Sequence, residues 1–76
     1  MDVITATVDA RGQSCPGPLV ALHKALKEAD QGDLFELLAT DPGSKSDVPS
    51  WSKLSGHELL DASETSGVYR YVIRKV

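Results

Sequence analysis

Residues 3–29, VITATVDARGQSCPGPLVALHKALKEA, place a strand, a short polar loop and a helix in direct succession. Ile4, Ala6 and Val8 alternate with Thr5 and Thr7, and this period of two predicts a strand over residues 3–8 with one buried face. Residues 9–14 are polar and include Gly12, as a loop requires. Beyond them Leu19, Leu22, Leu26 and Ala29 form a stripe at helical spacing, with Lys24, Lys27 and Glu28 on the outer side. A helix over residues 16–29 follows, ended by a left-handed cap at Gly32.

The two prolines say where that helix starts. Proline is tolerated in the first turn, where its missing N–H would have had no partner, so Pro16 marks the first helical position and Pro18 the third. A residue before proline is driven to extended backbone, the state an N-cap needs, so Cys15 is expected to cap the helix. There it would face unpaired N–H groups and the positive end of the macrodipole, both of which favour thiolate over thiol. Gly17 is the natural first-turn N–H donor to the sulfur, since neither flanking proline carries a proton. An ordinary free cysteine is a small buried hydrophobe. Between Ser14 and Pro16-Gly17-Pro18, Cys15 reads instead as a displayed nucleophile.

Downstream, residues 34–39 are apolar at nearly every position and predict an interior strand, after which Asp41-Pro42-Gly43 turns the chain. Residues 44–55 carry Val48, Trp51 and Leu54 as apolar points of a second helix. Pro49 interrupts the segment, so Asp47 is read as the N-cap and the start is set near Val48, with Gly56 closing the helix. A third strand spans 58–63 with Leu60 and Ala62 on one face. A hairpin turn follows at Thr65-Ser66-Gly67, and a fourth strand over 68–76 alternates Tyr69, Tyr71 and Ile73 against Arg70 and Arg74. The order is βαβαββ. Right-handed crossovers put both helices on one sheet face, giving an α/β two-layer sandwich. Thr5, Thr7, Glu36, Arg70 and Arg74 would lie on the other face, solvated or covered by a partner.

Composition narrows the class. A chain of 76 residues with 41% hydrophobic and 25% charged residues reads as one soluble globular domain over 1–76 rather than a disordered or fibrous chain. No apolar stretch approaches the ~20 residues of a membrane span, and Met1-Asp2-Val3-Ile4 lacks the features of a signal peptide. A single cysteine permits no internal disulfide and suits a reducing compartment, so a cytoplasmic location is expected. The net charge of -3 disfavours direct nucleic-acid binding, although Arg70, Arg74 and Lys75 keep an RNA-binding or regulatory module as the alternative. One cysteine with the separated His23 and His57 makes a poor zinc set, and no metal or cofactor is implied. His23 reads as a solvated residue, and His57 as a group favouring the second helix's C-terminus by its charge or its hydrogen bonds.

Cys15-Pro16-Gly17-Pro18 after an Asp9-x-x-Gly12 loop resembles the signature of the TusA-like (SirA/YeeD) sulfur-carrier family. Asp41-Pro42, Asp47-Val48-Pro49 before Trp51, Gly56-His57-Glu58-Leu59 and the final Tyr69–Lys75 block resemble it in order and spacing, across essentially the whole chain. The resemblance implies a four-stranded mixed sheet with the last strand between the second and third, similar to the C-terminal domain of translation initiation factor three. It also implies a persulfide on Cys15, loaded by a cysteine desulfurase or rhodanese-like donor and passed to an acceptor protein. The sulfur would serve tRNA thiolation, molybdenum cofactor synthesis or sulfur metabolism; apart from the resemblance, the small size of the chain suits a monomer that docks transiently. Pro16, Gly17, Pro18 and Gly12 would support the motif, while Arg11, Asp41, Arg70 and Arg74 are candidates for tuning the thiolate or touching a partner. Two positions depart from tRNA-thiolating members: Ser14 stands where some have arginine, and Ser52 where some have a second cysteine.

Overall fold

A computed structural model describes residues 4–13 and 17–76, with no side-chain account of Gly17 and Pro18. Its elements are β1 (Ile4–Ala10), α1 (Gly17–Lys27), β2 (Leu34–Ala39), α2 (Ser44–Ser55), β3 (Glu58–Thr65) and β4 (Val68–Arg74). The sheet order is β1-β2-β4-β3, with β1 parallel to β2 and the other pairs antiparallel. The α2 crossover leaves a place between β2 and β3, and the hairpin returns β4 into it. This is the mixed βαβαββ sheet that the sequence resemblance implies.

The core explains the layering. Phe35 and Leu37 of β2 meet Ile73 and Tyr71 of β4 in register, and all four point to the side where Leu22 and Leu26 of α1 and Val48 of α2 are buried. Both helices therefore lie on one sheet face. Residues 34–39 form an interior strand as expected, because β1 and β4 flank β2. The hairpin turn needs left-handed backbone at both central residues, and Ser66 (φ 51°) and Gly67 (φ 81°) supply it.

Several local expectations are corrected. β1 extends to Ala10, so Asp9 and Ala10 belong to the strand, and a bulge at Thr5 puts Ile4 opposite Leu34, out of phase with Ala6 and Val8. Helix α1 ends at Lys27, and Gly32 is not its cap: its N–H donates to the Lys75 carbonyl at 2.8 Å. The Lys75 ammonium instead donates to the Leu26 carbonyl at the helix end. Helix α2 starts at Ser44 rather than near Val48, with Gly43 and not Asp47 at its N-cap, and is continuous through Pro49. That proline withholds one N–H from the carbonyl four residues back, on Lys45, which is exposed and can bond water. Early initiation turns Ser44, Val48 and Ser52 inward and leaves Leu54 88% exposed. In β3 a bulge displaces Leu60, so Leu59 and not Leu60 packs against the core. The buried polar groups are paired: Ser44 Oγ and the Tyr71 hydroxyl lie 2.7 Å apart, and Ser52 Oγ donates to the His57 carbonyl at 2.6 Å.

The opposite sheet face carries an ion-pair network. Thr7 Oγ1 donates to Glu36 at 3.0 Å, Arg70 joins Glu36 to Asp61, and Arg74 pairs with Glu58. Arg70 first, and then Thr7, hold the Glu36 carboxyl below the usual carboxylate range. Thr7, Glu36, Arg70 and Arg74 share this face as expected, whereas Thr5 sits in the bulge and accepts the Leu34 N–H.

Candidate functional site

The loop that leads to Cys15 leaves the C-terminal end of β1, beside the C-terminal end of β2, where Ala10 lies opposite Ala39. Asp9 organises its first half. One carboxylate oxygen accepts the Arg11 backbone N–H at 3.1 Å and Nε–H at 2.9 Å, and the other accepts Nη2–H at 2.8 Å. The side-chain bonds from Arg11, and then its backbone N–H, lower the Asp9 pKa to about 2, and the same fork raises that of Arg11. Arg11 thus approaches the cysteine segment with its charge already matched by Asp9.

The second half is a turn closed by Gln13 N–H donating to the Ala10 carbonyl at 3.2 Å. Gly12 holds φ +82°, where a side chain would be strained although nothing within 4 Å would meet its Cβ. Its N–H donates to Thr40 Oγ1 at 2.8 Å. Thr40 precedes Asp41, whose Oδ1 accepts the Gly43 N–H at 3.4 Å as the chain turns into α2. The end of β1 with the loop over 11–13, the start of α1 at Gly17 and the 40–43 turn therefore occupy one end of the parallel strand pair, the usual place for a site in such folds.

Ser14, Cys15 and Pro16 lie outside the described residues, as does the expected capping geometry of the sulfur. What is described is the frame: Gln13 on one side and an 11-residue helix on the other, with no acidic residue in its first turn. Of the outlying candidates, Arg70 sits opposite Leu38, in the same row as Asp9 and two strands over, about 10 Å away by sheet spacing. Arg74 lies opposite Leu34, at the far end of the sheet from the loop. The structure sets Gly12 against Thr40, the neighbour of Asp41, holds Arg11 on Asp9, and leaves the two strand arginines elsewhere.

Sequence reasoning missed two features. Thr40 is one, and the tether it provides spans 28 positions, so no local pattern signals it. The other is a groove of about 390 Å³ between α1 and α2, lined by Leu19, Val20, His23, Lys24, Lys27 and Trp51. Its floor is apolar and the charges on its lining are cationic. Spacing of Leu19, Val20 and His23 along α1 carried the signal, but only the approach of Trp51 turns it into a groove.

His57 serves the C-terminal end of α2 through backbone hydrogen bonds, its carbonyl accepting from Ser52 Oγ and its N–H donating to Ser55 Oγ at 3.4 Å, and not through charge. Its Nδ1 accepts the Val76 N–H at 3.2 Å, which requires an unprotonated nitrogen, so the ring does not serve α2 as a cation. Burial, then the charges of Lys75 and His23, lower its pKa. Unfolding therefore exposes a stronger base. Its contribution to stability is complete above the ordinary imidazole value of about 6.5 and is lost as pH falls through the lower folded value. The ring centre lies 5.8 Å from that of Trp51, the only tryptophan. Emission of Trp51 is expected to drop on acidification with a midpoint below 6.5, and His57→Gln should remove that step. A midpoint at or above the ordinary value would contradict the assignment.

Comparison with known proteins agrees with this frame. Residues 6–75 match the family profile described as Sulfurtransferase TusA, and the chain belongs to that family. It is 44% identical over 70 residues to the sulfur carrier protein TusA of Pseudomonas entomophila, covering 92% of this chain and 88% of that one. It is 39% identical over 72 residues to its Pseudomonas aeruginosa counterpart, covering 95% and 91%. A crystal structure of a SirA-like protein from Desulfitobacterium hafniense superposes with a TM-score of 0.81 at 26% identity, covering 92% of this chain and 96% of the other.

Proposed function

We propose that the chain is one carrier domain over residues 1–76 that holds sulfane sulfur as a persulfide on Cys15 and hands it to a partner. The observation that carries this reading is the position of the only cysteine between Gln13 and Gly17, directly before a helix whose first turn bears no acid. In loading, the Cys15 thiolate attacks the outer sulfur of a donor persulfide. A new S–S bond forms to Cys15, the donor's S–S bond breaks, and the donor leaves as thiolate. In unloading, an acceptor thiolate attacks the same outer sulfur and releases Cys15 as thiolate. No net oxidation occurs in either step. The lone cysteine matters here, because a neighbouring thiol would close a disulfide and expel the cargo as sulfide.

Gly12, Pro16, Gly17 and Pro18 shape the segment, with Arg11 and Asp41 beside it. Arg70 and Arg74 are paired with Glu36, Asp61 and Glu58, which offsets two of the three cations on the basic edge that RNA binding would use. The partners are a cysteine desulfurase or rhodanese-like donor and a relay protein or thiolating enzyme as acceptor. The carrier acts as a cytoplasmic monomer in tRNA thiolation, molybdenum cofactor synthesis or sulfur metabolism. Among the described residues, no helix is long and apolar enough to cross a membrane.

The α1–α2 groove begins four residues beyond Cys15 and is the docking surface. Its apolar floor and its cations Lys24 and Lys27 fit an acidic amphipathic segment of the sulfur-donating protein, even though this chain is itself net negative. The test compares two donors. Exchanging Lys24 and Lys27 for glutamate should raise the concentration needed for half-maximal loading from a charged desulfurase by on the order of tenfold, with a strong salt dependence. Loading from inorganic polysulfide should not change. Equal effects on both donors, or on neither, would remove the docking assignment, and no loading from either donor in the unaltered chain would remove the carrier reading.

A further inference from the structure

We propose that His57 is a positioning residue for the groove between α1 and α2: its neutral ring sets Trp51 in the groove wall, and its protonation releases that wall. The inference rests on the docking reading given above. Trp51 belongs to two environments at once. It lines the groove with Leu19, Val20 and His23, and its ring centre lies 5.8 Å from that of His57, with the two planes tilted by 37°. Both residues are half-buried, so where the indole comes to rest depends on what stands against it.

His57 can act as that stop because it is held at its backbone and at its ring. Its carbonyl accepts from Ser52 Oγ at 2.6 Å and its N–H donates to Ser55 Oγ at 3.4 Å, which fixes it to the end of α2. Its Nδ1 accepts the Val76 N–H at 3.2 Å. The segment that offers this N–H is itself tied down. Lys75 donates its N–H to the Asp33 carbonyl at 2.9 Å, accepts the Gly32 N–H at 2.8 Å, and places its ammonium on the Leu26 carbonyl.

One proton undoes the arrangement. Protonation puts a hydrogen on Nδ1, where the Val76 N–H needs an acceptor, so two donors face each other and the ring must turn away. The surroundings do not favour the cation: Lys75 from the tail and His23 from α1 both oppose it, and α2 offers the uncharged Trp51 ring and the hydroxyls of Ser52 and Ser55. The neighbouring Glu58 is engaged by Arg74. Once the ring turns, Trp51 loses its stop and the groove its set wall.

The experiment titrates a fluorescently labelled helical peptide, leucine on one face and glutamate on the other, with the full chain and follows anisotropy from neutral to acid pH. Thermal unfolding is followed alongside. Near neutral pH the wild type and His57→Phe should bind alike, since phenylalanine keeps a ring against Trp51, and His57→Ala should bind on the order of fivefold more weakly. Below about pH 6.5 the wild type should fall toward the alanine variant while His57→Phe does not, and the ratio of the two cancels any titration of the peptide. The same comparison in a His23→Gln background keeps the groove's own imidazole from standing in for His57. In a Trp51→Ala background, His57→Ala should have no further effect. Equal affinities of wild type and alanine variant at neutral pH, or parallel wild-type and phenylalanine profiles, would overturn the proposal. So would unfolding of both variants, which would make His57 a folding residue. Binding that is indifferent to Lys24→Glu with Lys27→Glu, or no binding by the wild type, removes the docking reading and this inference with it, whereas groove binding that ignores His57 removes only the positioning role.

Discussion

Replacing Cys15 by serine should abolish sulfur uptake from polysulfide and from a charged desulfurase alike. Attack on sulfane sulfur needs a thiolate, and a serine hydroxyl neither ionises near neutral pH nor forms a stable bond to that sulfur. No second cysteine is present to take over, so the expected loss is complete and not graded. The wild type should gain sulfur in the same experiment, and both proteins should unfold at comparable temperatures. A serine variant that still acquires reductant-labile sulfur would place the cargo elsewhere on the chain.

The second large effect falls on stability. Leu37 and Ile73 have no exposed surface and face each other's strands at the centre of the core. Truncating a buried Leu or Ile to alanine costs about 2–5 kcal/mol, the removed contacts plus the cavity left behind. A chain of 76 residues has roughly 4–11 kcal/mol to lose at ordinary stability per residue. Leu37→Ala should therefore leave a protein that is partly unfolded at 37 °C or close to it, with the urea midpoint strongly lowered and the slope unchanged. Leu54→Ala is the control. Leu54 is 88% exposed, and its truncation should leave the midpoint nearly where it was. A Leu37→Ala cost under about 1 kcal/mol would mean that the core is not built around β2.

Much of this fold was legible because local pattern and tertiary place agree. The run at 34–39, apolar at every position but Glu36, reads as an interior strand, and Ser66-Gly67 could supply the backbone the hairpin needs. The strand order came from resemblance, since periodicity in one strand cannot say which neighbour it takes. Errors arose where a local rule lost to packing. Pro49 and Asp47 look like a helix start, but burial of Ser44 against Tyr71 and of Val48 in the core repays starting a turn earlier. The bulges at Thr5 and Leu60 are likewise set by register with a partner strand.

The site divides in the same way. Cys15 and its prolines stand out in the sequence as its single cysteine beside an expected helix start, although their geometry lies outside the described residues. Arg11 was visible as a nearby cation, but its fork onto Asp9 depends on the turn between them. Arg70 and Arg74 read as a basic edge until the sheet set Glu36, Asp61 and Glu58 beside them. Thr40 and the groove at Trp51 needed the fold itself.

The most direct measurement is the intact mass of the reduced, desalted protein after incubation with polysulfide. The account predicts a gain of one sulfur atom on Cys15, fully reversed by a thiol reductant. An unchanged mass, in a protein whose cysteine still reacts with iodoacetamide, would contradict it.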